Sequence, residues 1–173
     1  MHRERLDILI DVLAQVAAAD RLFDMTAWIE NRAPRGQAPE PCQTACCALG
    51  YAALDTRLQA MGLSLVGRLR DEHGYNEHVT IDSKLHFNRL VIAGRLATTV
   101  EPCFEGNYGY RAGTLFFDID YDAAAFLFNP DSYRGKQATP EQVIERVRMV
   151  IGADGELPDY TLLDDYDDDE DAA

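Results

Sequence analysis

The apolar residues of this chain change period twice, and that change limits the fold more than any other feature. Near the N-terminus Leu6, Leu9, Ile10, Leu13, Val16 and Ala17 recur at i, i+3, i+4 and i+7. That spacing predicts a helix over 3–19 with one apolar stripe. Near the C-terminus Val143, Ile144, Val147, Val150 and Ile151 repeat the pattern behind Thr139-Pro140-Glu141-Gln142. These four residues form a capping box with proline at the first helical position, so a helix runs over 140–151 and Gly152 closes it. Between the two, from Leu63 to Phe104, the runs shorten and turn β-branched and aromatic: Val79-Thr80-Ile81, Leu85-His86-Phe87 and Leu90-Val91-Ile92, then 95–100. Gly74, Asn76, Asn88 and Gly94 punctuate them, which predicts a small antiparallel sheet of three or four strands. The expected fold is a single, mainly helical α+β domain with that sheet inserted between its helical parts.

Shorter signals fill in the rest. Asp24 can cap a helix, with Phe23 ahead of it packing on Trp28 as a hydrophobic staple. Pro34, Gly36, Pro39 and Pro41 make 32–41 a surface loop. Thr44 to Leu54, rich in Ala, Cys and Leu, reads as a helix that lets a neighbour approach closely. A short helix over 56–61 ends at Gly62 as its C′ residue. Residues 111–117 read as a helix or a last strand, and Asp120 caps a helix that stops at Asn129-Pro130.

Charge divides the chain unevenly. The net charge is −14, yet residues 154–173 hold ten of the 30 acids and none of the 16 lysines and arginines. The remaining 153 residues therefore carry −4, an ordinary body with an acidic tail. The expected organisation is a globular domain over 1–153 and a tail over 154–173 that orders only when bound. Ten tail carboxylates with no compensating basic block disfavour direct binding of nucleic acid. No apolar run approaches the roughly 20 residues that span a bilayer, so no membrane association is expected. A charged N-terminus without a signal-peptide core points to a cytoplasmic protein with reduced thiols.

Phe23, Met25 and Trp28, then Cys42, Thr44, Cys46 and Gly50, then Leu127, Phe128, Pro130 and Tyr133 before the last helix form a recurring combination. It resembles a small uncharacterised domain associated with bacteriophage, prophage and actinobacterial genomes. Gln43 stands where that pattern has glycine, Cys47 is an additional thiol, and the stretch from Leu63 to Tyr110 has no counterpart. The resemblance implies a phage-linked context, in a host cytoplasm, and an α-rich core. It implies no catalytic residues.

The candidate chemistry starts at the cysteines. Cys42, just ahead of the expected 44–54 helix, is placed to gain thiolate character from the helix N-terminus. His73, His78 or His86 would have to supply its base. Cys46 and Cys47 read as buried small hydrophobes. Metal ligation is not expected: paired C-x-x-C ligands are absent, and His73 with His78 does not share a helical face. Asp118, Asp120 and Asp122 begin like a calcium loop, but Ala123 and Asn129 occupy the positions that need Gly and Glu. Gly106, Gly109 and Gly113 lack the lysine of a phosphate loop. No cofactor is expected.

Tyr108, Tyr110 and Tyr121 offer an aromatic contact surface. In the tail, Tyr160, Leu162, Leu163 and Tyr166 are apolar anchors among carboxylates that include Asp167, Asp168 and Asp169, a composition that folds onto a basic groove. The expected function is a non-enzymatic, phage-associated module that binds a host or viral protein. The partner would be basic or itself nucleic-acid-binding, and the tail inhibitory. The alternative is a small cysteine-dependent or metal-assisted hydrolase centred on Cys42.

Overall fold

The helices form where their local signals lie. The structure, a computed structural model, describes residues 1–31, 44–70, 76–81, 91–92, 95–133 and 138–157. Helix α1 is Arg3–Ala18, and its stripe of Leu6, Leu9, Leu13 and Val16 is buried. Helix α6 is Pro140–Gly152, with both halves of the Thr139–Gln142 capping box made. It packs along α1 through Val143, Val147 and Val150. Helix α5, Tyr121–Phe128, is capped by Asp120, whose carboxylate accepts from the Ala123 N–H at 2.6 Å. Residues Gly109–Phe117 are helix α4, so the alternative of a last strand falls away.

Helix α3, Thr56–Ala60, ends in a Schellman turn. The Gly62 N–H donates to the Gln59 carbonyl at 2.9 Å and the Leu63 N–H to Leu58 at 3.2 Å, with Gly62 at φ 101°. The same turn ends α1 and α6, but there the left-handed residue is an aspartate: Asp20 at φ 49° and Asp154 at φ 57°. The Arg21 N–H reaches the Val16 carbonyl at 3.1 Å and the Gly155 N–H reaches Val150 at 2.8 Å. Gly152 is therefore the last residue of α6, and the reversal expected of it falls two residues later.

The inserted sheet is present and antiparallel throughout. Its strands are β3 (Ser64–Arg70), β4 (Asn76–Ile81), β5 (Val91–Ile92), β6 (Arg95–Phe104) and β7 (Asn107–Tyr108), in the order β4-β3-β6-β5, with β7 also on β6. Glu105 and Gly106, both at positive φ, make the two-residue turn into β7. The expected strand at Leu85–Phe87 lies outside the described residues, as do His73 and His86.

Two expectations in the first half fail for one reason. No helix follows Asp24. Its carboxylate accepts from the Thr26 N–H and hydroxyl at 2.9 and 2.6 Å, closing a turn, and the chain then extends into β1, Ile29–Asn31. Strand β1 pairs with β2, Thr44–Cys46, from Ile29↔Cys46 to Asn31↔Thr44. Helix α2 accordingly starts only at Ala48 and runs to Leu54. The Phe23–Trp28 staple does not form. Phe23 bridges to Cys46 and stacks on Tyr51 at 6.3 Å, whereas Trp28 turns toward Tyr110. A pairing partner more than a dozen residues away overrides a local capping signal.

The helices and one sheet face enclose a single main core built on a run of rings. Phe104, Phe116, Phe117 and Phe128 pack in succession with centroids 5.0–5.8 Å apart. Arg5 lies over the Phe104 and Phe116 rings and donates to the Phe116 carbonyl. Arg146 of α6 closes the far side. It donates to the Phe126 carbonyl at 2.6 Å and to the Ser132 hydroxyl and carbonyl at 2.7 and 2.6 Å. Its guanidinium lies 3.6 Å from the Tyr133 ring centroid. Tyr133, in the 3-10 turn Pro130–Tyr133, donates to the Leu127 carbonyl at 2.8 Å. The Leu127-Phe128-x-Pro130-x-x-Tyr133 motif thus holds α5 to α6.

Candidate functional site

The thiol at a helix N-terminus is Cys47, five residues beyond the one the sequence suggests. Because β2 takes Thr44–Cys46, Cys47 becomes the N-cap of α2, with extended backbone and its Sγ accepting from the Gly50 N–H at 3.3 Å. Cys42 lies outside the described residues. It belongs to the connection between β1 and β2, and α2 begins six residues after it.

Position at a helix N-terminus favours a thiolate, and burial opposes it. Here burial wins. Cys47 is sealed from solvent, and its thiol is pushed up to about 12 by desolvation, against the opposing hydrogen bonds of the α2 backbone. Cys46 is raised further, by burial first and then by the neighbouring Cys47. Cys103, on β6, is also buried. Neither Cys46 nor Cys47 is placed to act as a nucleophile at neutral pH. Among the described residues no group of three or more His, Cys, Asp or Glu is placed to hold a metal ion.

What the cysteine segment does is fix the approach of Trp28. The Cys47 N–H donates to the Ala27 carbonyl at 2.8 Å, and the Cys47 thiol lies 4.0 Å from the Trp28 carbonyl. That carbonyl sits on the first turn of α2, where a Cβ on Gly50 would come within 1.9 Å of it. Only glycine permits this contact. So anchored, the indole reaches across to Gly109, where a Cβ would meet Trp28 Cζ2 at 3.2 Å and Glu101 Oε2 at 3.8 Å. Glu101 is the one charged side chain buried among the described residues. The Tyr110 ring packs edge-on against the indole, centroids 4.9 Å apart.

This junction runs to the surface through tyrosines. Trp28, Tyr108 and Tyr110 are half-buried, and Tyr121, the first residue of α5, is 66% exposed. Burial pushes the Tyr110 phenol up to about 12, with smaller upward contributions from the charges that Cys47, Asp131 and Tyr121 can carry. Of the tyrosines grouped from the sequence, Tyr108 is the N-cap of α4, Tyr110 lies in its first turn and Tyr121 begins α5. Tyr160, Leu162, Leu163, Tyr166, Asp167, Asp168 and Asp169 lie outside the described residues. Glu101 was not singled out from the sequence, and Gly109 was weighed there only as part of a phosphate loop. Their sequence signal is slight: a carboxylate just past the expected 95–100 strand, and a glycine directly after Asn107-Tyr108.

Compared with known protein families, curated proteins and solved structures, the chain finds no match. Among the described residues no helix is long and apolar enough to cross a membrane.

Proposed function

We propose that this chain is a non-enzymatic, phage-associated module that binds a host or viral protein. The observation that carries the reading is Tyr121, two-thirds exposed at the start of α5, together with the half-buried Tyr110–Trp28 ring pair at the start of α4. Tyrosine and tryptophan supply large contact areas with few rotatable bonds and a polar tip, which suits a protein interface. Trp28 is held at two points, its backbone carbonyl against Gly50 and its indole against Gly109. The acidic segment beyond Leu157 adds long-range attraction for a basic partner, such as a nucleic-acid-binding protein, and speeds encounter.

The test is affinity capture from host cells with the full chain, its Tyr121→Ala variant and a variant with Asp167, Asp168 and Asp169 changed to Asn. The wild-type chain should capture a discrete basic partner, Tyr121→Ala should weaken it about tenfold or more, and the Asn variant should slow association. Equal capture by all three chains removes the proposal.

A further inference from the structure

We draw no further inference here: the strongest candidate, the exposed surface patch at the start of α5 where Asp120 and Asp122 flank Tyr121 in the chain, belongs to the surface already described, and nothing in the structure shows what covers it.

Discussion

At the scale of single residues, Gly50 carries the tightest constraint. The Trp28 carbonyl occupies the space a β-carbon would need, and carbonyl and helix are both backbone, so neither can yield by rotating a side chain. Gly50→Ala should cost about 3 kcal/mol or more, as overpacking of a rigid contact does, and urea unfolding measures it. Gly152, where a Cβ would meet nothing within 4 Å, is the control: Gly152→Ala should not destabilise. The thiols give a second expectation. Cys46, Cys47 and Cys103 are all buried, and desolvation keeps the first two protonated. Iodoacetamide at pH 7.5 should leave these three unmodified in the native protein and alkylate them in urea. Fast native labelling of Cys47 would show that the helix N-terminus outweighs burial.

At the scale of elements, the chain stops helices in a way that leaves stability unused. Asp20 and Asp154 adopt positive φ at the C-terminal reversals of α1 and α6. Aspartate tolerates that conformation less well than glycine, and its charge opposes the negative end of the helix dipole. Asp20→Gly and Asp154→Gly should each add about 0.5–1 kcal/mol. Calorimetry should show a rise in Tm of about 2–4 °C per kcal/mol for a chain of this size. A fall at either site would mean that its carboxylate has a task in the fold. The same elements show what a sequence can reveal. Helices α1, α5 and α6 were legible because their stripes and caps lie within a few residues of one another. The Asp24 turn and the β1–β2 hairpin were not, because Ile29 acquires its role only from Cys46. That one pairing moved the start of α2 from 44 to 48 and exchanged Cys42 for Cys47 at its cap.

At the scale of the whole molecule, Arg146 is the longest-acting side chain. It ties α6 to the end of α5 and to the 3-10 turn through three hydrogen bonds and two rings. Lysine keeps the charge but lacks the fork that serves two acceptors at once. Arg146→Lys should therefore cost about 2 kcal/mol, with unchanged m-value in urea if the domain still unfolds as one unit. The sequence marks Arg146 only as one of two arginines in an amphipathic helix, and nothing local says that it points inward. The meeting of buried Glu101 with Trp28 and Gly109 was hidden for a similar reason, since three separate segments must fold to bring them together.

Pairing of Asn31 with Thr44 has one more consequence. The paired anchors Asn31 and Thr44 hold the ends of a twelve-residue connection at a fixed gap, and lengthening such a connection to twice its size costs only about 0.6 kcal/mol of closure entropy. The hairpin is thus a port: foreign sequence, a reporter or a new binding loop, can be spliced between 32 and 43 while its two anchor strands keep their register.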